Sequence, residues 1–309
     1  MLFPLLSDSS SPADPEKTAF AICETGETVS FAQLEARANQ VAHVLRGCGV
    51  QLGEHVVMVM TNGRRFLEAC FGMDRSGVYY TSISTRLTAS EVAYIVNDCA
   101  AKVLVISDGV ECDTAELQAL LPPSVQCFRT GRGMAAFADW CEVVDAAPIV
   151  PIEDAAQGLD MLYSSGTTGR PKGVKWPLPH APAGQRTMLV NLLAPLFDYG
   201  PHSRYLSPAP LYHAAPLRHS MTVIKLGGTV YVMTGFDASA ALANIQKYRI
   251  THAQWVPTMF VRMLKLPKDE REQYDVSSLQ VALHAAAPCP VDVKEQMLAW
   301  WGPIIHEYY

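Results

Sequence analysis

The sequence lacks the cysteine spacing of a metal site or a disulfide framework. None of its eight cysteines forms a C-x-x-C pair, and no histidine cluster accompanies them. We therefore expect free, mostly buried thiols and a reducing compartment. An excess of basic residues is also missing, because 24 Lys and Arg stand against 30 Asp and Glu, which gives a formal net charge of -6. A chain with this balance has no electrostatic footprint for nucleic acid.

Targeting and membrane-spanning segments are missing as well. The apolar start, residues 1–6, has no basic region before it and no long hydrophobic region after it, so a signal peptide is not predicted. The longest apolar stretch, residues 188–197, is interrupted by Asn191 and Pro195. A bilayer requires roughly 20 consecutive apolar residues, which this stretch does not supply. These observations predict a soluble cytoplasmic protein without a transmembrane segment, and they leave peripheral membrane contact open.

The chain does contain the material for a large α/β core. Of its 309 residues, 49% are hydrophobic and only 17% are charged, which argues against disorder. Capping signals precede several helical patterns: Ser30 with Gln33, Thr88 with Glu91, Asn62 and Asp237. Pro257 suits the first turn of a further helix. Between these helices we expect strands at residues 55–60, 79–84, 102–106, 161–164, 228–233, 251–256, 279–284 and 303–306.

Alternation of strands and helices predicts layered, largely parallel β-sheets that are flanked by helices. The stretch from residue 110 to residue 151 has a less regular pattern, and we expect it to contain connections. The sequence has no internal repeat and no low-complexity segment. The fold class expected from pattern alone is therefore α/β.

The most informative segment runs from Tyr163 to Gly173 and reads YSSGTTGRPKG. Glycine lets the main chain approach a ligand, and successive N–H groups in such a turn form a nest for anions. Serine and threonine hydroxyls add donors for phosphate oxygens, and Lys172 adds a positive charge. A Walker A loop is excluded because Pro171 and Gly173 occupy the positions of its second glycine and its hydroxyl. The spacing of Gly166 and Gly169 also fails the dinucleotide fingerprint.

This segment resembles the signature loop of the adenylate-forming enzymes, [YF]-[ST]-S-G-[ST]-T-G-x-P-K-G, at every position. That family includes acyl-CoA synthetases, aryl-CoA ligases, luciferases and the adenylation domains of peptide synthetases. The resemblance implies that the loop holds the β- and γ-phosphates of ATP and that Thr168 also contacts Mg²⁺. The loop residues that it assigns to nucleotide binding are Ser164, Ser165, Gly166, Thr167, Thr168, Gly169 and Lys172.

Three further segments are similar to the same family. Residues 206–213 resemble its P-L-x-H segment, which implies that Tyr212 and His213 lie at the acyl pocket and that His213 orients the acid. Residues 284–288, HAAAP, resemble its adenine turn, with Ala285 where glycine is frequent, and imply nucleotide contacts for Ala286 and Ala287. The ending, IHEYY, resembles the start of Y-G-x-T-E, so Tyr309 is expected to stack on adenine.

The resemblance implies an AMP-forming acid–thiol ligase with His213, Lys172 and Thr168 as catalytic residues. A carboxylate would attack the α-phosphate of ATP, and coenzyme A would then attack the acyl-adenylate and release AMP. Fatty or steroid side-chain acids are the expected substrates; an aryl-CoA ligase and an inactive nucleotide-binding fragment are the alternatives. The resemblance covers residues 1–309 as an incomplete N-terminal AMP-binding domain without the C-terminal lid, so we expect the chain alone to be inactive. A homodimer is left open.

Overall fold

The computed structural model describes residues 14–131, 137–164 and 170–308. Its strands are β1 (Thr18–Ile22), β2 (Thr28–Ser30), β3 (His55–Val59), β4 (Tyr79–Ser82), β5 (Val103–Ile106), β6 (Gln126–Arg129), β7 (Ala138–Asp139), β8 (Leu159–Asp160), β9 (Leu162–Tyr163), β10 (Gly173–Val174), β11 (Arg204–Ser207), β12 (Thr229–Val232), β13 (His252–Trp255), β14 (Val281–His284) and β15 (Ile305–Glu307). Its helices are α1 (Phe31–Gly47), α2 (Arg64–Arg75), α3 (Ala89–Asp98), α4 (Thr114–Leu120), α5 (Trp140–Asp145), α6 (Met188–Leu196), α7 (Ala214–Lys225), α8 (Ala238–Tyr248), α9 (Pro257–Leu264), α10 (Lys268–Glu272) and α11 (Val291–Trp301).

The chain divides into two compact units, each with its own sheet. The first unit comprises Met1–Glu16, Phe31–Thr187 and Leu211–Ala214. Its six-stranded sheet has the order β7-β6-β5-β3-β4-β8, and all of the adjacent pairs are parallel. Strands β3 and β5 are buried along their whole length, which explains their uninterrupted apolar sequences. The α/β class with parallel sheets is thereby confirmed for this unit.

The second unit comprises Lys17–Ser30, Met188–Pro210 and Ala215–Tyr309. Its seven-stranded sheet has the order β15-β14-β13-β11-β12-β1-β2, in which only the β1–β2 pair is antiparallel. Trp255 and Phe260 are fully buried and pack against Trp301, with ring centroids 5.6 and 5.8 Å from that of Trp301. This aromatic core lies between β13, α9 and α11, and it fixes the carboxyl end of the sheet.

Helices α1 and α2 pack very closely in the first unit. A Cβ atom at Gly72 would lie 2.3 Å from Val41, so only glycine permits this approach. The charged residues at the same interface are buried. Both outer nitrogens of Arg75 donate to the Glu35 carboxylate, at 2.5 and 2.6 Å, and one of them also donates to Asn39. Arg75 is 3% exposed and Glu35 is 1% exposed, so the pair is almost completely removed from water.

Several local expectations are confirmed. Thr88 and Glu91 form a capping box at the start of α3, the Asp237 side chain caps α8, and Pro257 opens α9. Another expectation was wrong. Asn62 does not cap α2, whose N-cap is Gly63 without a side-chain bond. The described parts of the stretch from 110 to 151, residues 110–131 and 137–151, contain regular elements in addition to connections: α4, β6, β7 and α5.

All eight cysteines lie in the described part of the chain and are free. Burial raises the pKa of Cys23 to about 12 and those of Cys99 and Cys127 to about 11. Cys48, Cys70, Cys112 and Cys289 are shifted in the same direction for the same reason. Within the described ranges no three His, Cys, Asp or Glu residues are grouped as metal ligands. In the same ranges every helix is too short or too polar to cross a bilayer.

Candidate nucleotide and acid site

The two strands that flank the phosphate loop, β9 and β10, pair as a short antiparallel hairpin. Tyr163 pairs with Gly173, and Leu162 pairs with Val174. One residue further toward the loop, the Ser164 N–H donates to the Lys172 carbonyl at 2.9 Å. The Lys172 N–H points back to the Ser164 hydroxyl at 3.3 Å. Ser164 and Lys172 are therefore held opposite each other at the base of the loop, whereas Ser165, Gly166, Thr167, Thr168 and Gly169 lie outside the described residues.

Gly173 has a steric reason to be glycine. A Cβ atom at this position would lie 2.3 Å from the Met161 side chain and 3.0 Å from the Tyr163 ring. Without that atom, the Tyr163 ring packs directly against the outgoing strand. The last glycine of the signature thus shapes the stem of the loop in this chain, in addition to any contact that its backbone makes with a ligand.

Tyr163 is anchored by its hydroxyl, which donates to the Asp98 carboxylate at 2.6 Å. Burial and this hydrogen bond to Asp98 hold the pKa of Tyr163 well above its usual range. The phenol consequently stays protonated at physiological pH and acts as a fixed donor. Asp98 is a missed residue of the site: it lies 65 residues before Tyr163, and no local pattern marks it.

The Lys172 side chain is exposed. In the parts of the chain that the structure describes, no carboxylate lies within ion-pair distance of its ammonium group. The backbone of Lys172 is thus fixed by the hairpin, while its charge has no carboxylate partner among the described residues. This combination suits a cation that meets an anionic ligand, since a lysine already paired with a carboxylate would first have to break that pair.

The Tyr212–His213 segment is held at the carboxyl end of the first sheet. Asn62, which follows β3, accepts a hydrogen bond from the Leu211 N–H at 2.8 Å. The two rings of Tyr212 and His213 are 4.5 Å apart and tilted by 53°. His213 is exposed, yet desolvation by the surrounding protein lowers its pKa below the ordinary 6.5. Its imidazole is neutral at pH 7 and offers one donor and one acceptor.

Strand β4 connects the loop stem with the Tyr212 segment. The Thr81 hydroxyl donates to the Met161 carbonyl at 2.7 Å, immediately before β9. The next residue, Ser82, has its hydroxyl 3.5 Å from the Tyr212 carbonyl. Two successive residues at the end of one strand therefore contact both segments. Carboxyl ends of strands are where open α/β sheets bind ligands, so the two segments lie where a ligand is expected.

The second unit contains the remaining sequence-predicted residues. The turn that follows β14 exposes Ala286 and Ala287, and Ala286 has φ 75°, in the left-handed region that side chains disfavour. The glycine-like residue of the turn is thus Ala286 and not Ala285, which is buried. Next to Tyr309, which lies outside the described residues, the Tyr308 hydroxyl contacts His219 at 3.1 Å and Gln254 at 3.0 Å.

Comparison with known proteins agrees with these observations. A family model described as "AMP-binding enzyme" matches residues 8–309. A feruloyl-CoA synthase from Amycolatopsis sp. is 32% identical over 286 residues, which are 91% of this chain and 54% of that protein. A long-chain-fatty-acid–CoA ligase from Mycobacterium tuberculosis is 28% identical over 280 residues, which are 89% of this chain and 53% of that protein. The chain therefore spans about half the length of the curated relatives it matches.

A solved structure supports the same grouping. The crystal structure of an anthranilate CoA ligase in complex with anthranoyl-AMP aligns with a TM-score of 0.80 and 25% identity. The alignment covers 94% of this chain and 56% of that one. With the match of the family model over almost the whole chain, these findings show that the chain belongs to the family of AMP-binding enzymes.

Proposed function

We propose that this chain is the nucleotide- and acid-binding part of an AMP-forming ligase that joins a carboxylic acid to the thiol of coenzyme A. The observation that carries the proposal is the arrangement at the end of β4. Thr81 and Ser82 bond to the entry of the phosphate loop and to the Tyr212 segment, respectively. A loop for the phosphates of ATP and a neutral histidine for the acid are the two parts that acyl-adenylate formation requires.

The chemistry follows from charge. Attack of a carboxylate on the α-phosphate of ATP brings two anions together, so the protein contributes positioning and positive charge and needs no nucleophile of its own. Lys172 supplies one such charge. Mg²⁺ would supply more by neutralising phosphate oxygens, and Thr168, in the undescribed part of the loop, is the residue we propose to contact it. Tyr309 would stack on adenine beside Ala286 and Ala287.

We further propose that these 309 residues are the N-terminal AMP-binding domain of a longer enzyme. The support is that the chain covers 54% of the feruloyl-CoA synthase and 53% of the fatty-acid ligase. In this proposal a C-terminal lid follows and completes the second step, in which the coenzyme A thiol attacks the acyl carbon.

A binding experiment tests the first half of the reaction on the chain itself. An acyl-sulfamoyl-adenosine keeps the acyl group and the nucleoside but replaces the reactive phosphate, so it occupies the acid and nucleotide subsites together. We expect it to bind at least tenfold more tightly than AMP or the free acid, because one molecule fills both subsites. Isothermal titration calorimetry measures the three affinities. An analogue that binds no better than AMP would contradict an acid-activating site.

The acid class is a separate proposal, with fatty or steroid side-chain acids ahead of aryl acids. Sulfamoyl-adenosines that carry a straight-chain or a steroid acyl group should bind more tightly than one that carries a cinnamoyl group. Changing Tyr212 to alanine should alter the ratio of these affinities by roughly tenfold, because it removes a large ring from the proposed pocket wall. Tyr274→Ala, an exchange of a tyrosine outside this segment, is the matched control. If the affinity ratios in Tyr212→Ala equal those in the unchanged chain and in Tyr274→Ala, Tyr212 lies outside the pocket.

A further inference from the structure

Helix α3 presents two side chains to the stem of the phosphate loop. Tyr94 and Asp98 are four residues apart, so they lie on the same face of the helix, one turn from each other. Asp98 accepts a hydrogen bond from the Tyr163 hydroxyl on the incoming strand at 2.6 Å. Tyr94 donates a hydrogen bond to the Pro171 carbonyl, two residues before the outgoing strand, at 3.1 Å. One helix face thus contacts the chain on both sides of the phosphate loop.

The peptide group between Pro171 and Lys172 is hydrogen-bonded at both of its polar atoms. The Pro171 carbonyl and the Lys172 N–H belong to the same planar peptide. Tyr94 binds its oxygen, and the Ser164 hydroxyl accepts from its N–H. Rotation of this peptide is therefore blocked from both ends. Because the peptide leads directly into the Cα atom of Lys172, its orientation sets the direction in which the lysine side chain starts.

A cation–π contact adds to this arrangement. The Arg170 guanidinium carbon lies 5.1 Å from the centre of the Tyr94 ring, on the ring's face. Tyr94 therefore contacts Arg170 through its ring and Pro171 through its hydroxyl. Two consecutive residues on the loop side of Lys172 are held by one side chain of α3.

Helix α3 is itself a firm support. Its first turn is closed by the reciprocal bonds of Thr88 and Glu91, at 2.8 and 3.3 Å. Its opposite face buries Val92, Ile95 and Val96 in the core of the first unit. Asp98, in contrast, is exposed and Tyr94 is only half-buried. The Tyr94 and Tyr163 rings pack against that core, but loss of the Tyr94 hydroxyl and the Asp98 carboxylate leaves both rings in place and should cost the fold little.

We infer that Tyr94 and Asp98 are positioning residues for ATP: they hold the loop stem so that Ser164 and Lys172 face the phosphates before the nucleotide arrives. This inference rests on the proposed function, and it extends that function to a helix outside the signature loop. Holding a binding group in its bound geometry improves affinity by reducing the ordering cost of association. We expect the benefit for the phosphates alone, because the contacts of Tyr94 and Asp98 described above go to the stem of the phosphate loop.

The test compares ATP with adenosine, which lacks all three phosphates. In the Tyr94→Phe and Asp98→Ala double variant, we expect ATP affinity to fall by roughly five- to thirtyfold, because two stem hydrogen bonds are lost. Adenosine affinity should not change. The single variant Asp98→Asn keeps an acceptor oxygen for Tyr163, and it should retain most of the ATP affinity of the unchanged chain. Asn97→Ala, on the same helix with its side chain 3.4 Å from the Leu120 carbonyl, is the matched control.

The outcomes separate this inference from the proposed function. Unchanged ATP affinity in the double variant, or an equal loss for ATP and adenosine, would overturn the positioning role. If the parent chain does not bind ATP, the proposed function fails, and hydrogen exchange then decides the inference by itself. Faster exchange of the Ser164 and Lys172 amides in the double variant than in Asn97→Ala would support the restraint by α3. Equal exchange would overturn it.

Discussion

Replacement of Arg75 by alanine is expected to lower the free energy of unfolding of the first unit by about 3–5 kcal/mol. The Glu35 carboxylate would lose both of its hydrogen bonds to the guanidinium while staying buried at 1% exposure. A buried charge without a partner costs far more than the net value of the pair. Hydrogen exchange of the α1 and α2 amides measures the opening free energy of this unit.

Two comparisons test the physical reason. Lys102→Ala removes an exposed ion pair of the same unit, 3.6 Å from Glu54, and should change stability by no more than about 1 kcal/mol. Arg75→Met combined with Glu35→Leu removes both buried charges, and it should recover much of the loss because no unpaired charge remains. If the double variant is as unstable as Arg75→Ala, loss of packing and not the stranded carboxylate explains the effect.

Replacement of Lys172 by alanine is expected to weaken ATP binding by about 2–5 kcal/mol, which is roughly thirtyfold or more. The ammonium group has no carboxylate partner among the described residues, so its charge is available to the β- and γ-phosphates. AMP lacks those two phosphates, and its affinity should change much less. Calorimetric titration of the variant with ATP and with AMP gives both numbers.

Lys175→Ala is the matched control for this prediction. Lys175 lies three residues further along the chain, where its ammonium group contacts the His55 ring nitrogen at 2.9 Å and lies over the Tyr79 ring. Its removal deletes the same charge from the same segment without touching the stem. Equal losses of ATP affinity in both lysine variants would indicate a general effect of net charge and would refute a specific role for Lys172.

The parts of this fold that sequence predicts are those determined by near neighbours. The capping box of Thr88 and Glu91 closes within four residues, and Pro257 fits a first helical turn whatever surrounds it. Strand positions also followed from local apolar runs, because parallel strands are buried on both faces. The strand that enters the phosphate loop was predicted in the same way, at residues 161–164, whereas its pairing with Gly173 and Val174 was not.

Long-range partners account for what sequence did not predict. Asn62 has the right chemistry and position to cap α2, but its side-chain oxygen instead binds the Leu211 N–H, 149 residues away. The same limit applies to Asp98 and Tyr163. A polar side chain takes the partner that the folded chain brings to it, and a local pattern contains no information about segments that arrive from elsewhere.

The adenine turn illustrates a different limit. Comparison of residue types pointed to Ala285 as the unusual position, because glycine is frequent there in the family. The backbone shows that Ala286 carries the positive φ, 75°, so the strain lies one residue later. Dihedral angles at a tight turn depend on how β14 ends and on where the chain continues, and neither is visible in three consecutive alanines.

The chemistry of the cysteines has a consequence for the fate of an activated acid. An acyl-adenylate transfers its acyl group to any thiolate that reaches it, and a thiol with a raised pKa supplies almost none. Seven of the eight cysteines have their pKa raised by burial, among them Cys289, just beyond the turn of Ala286 and Ala287. In the reaction proposed above, these seven thiols would supply little thiolate to attack the acyl-adenylate, and the acyl group would be left for a thiol that comes from solution.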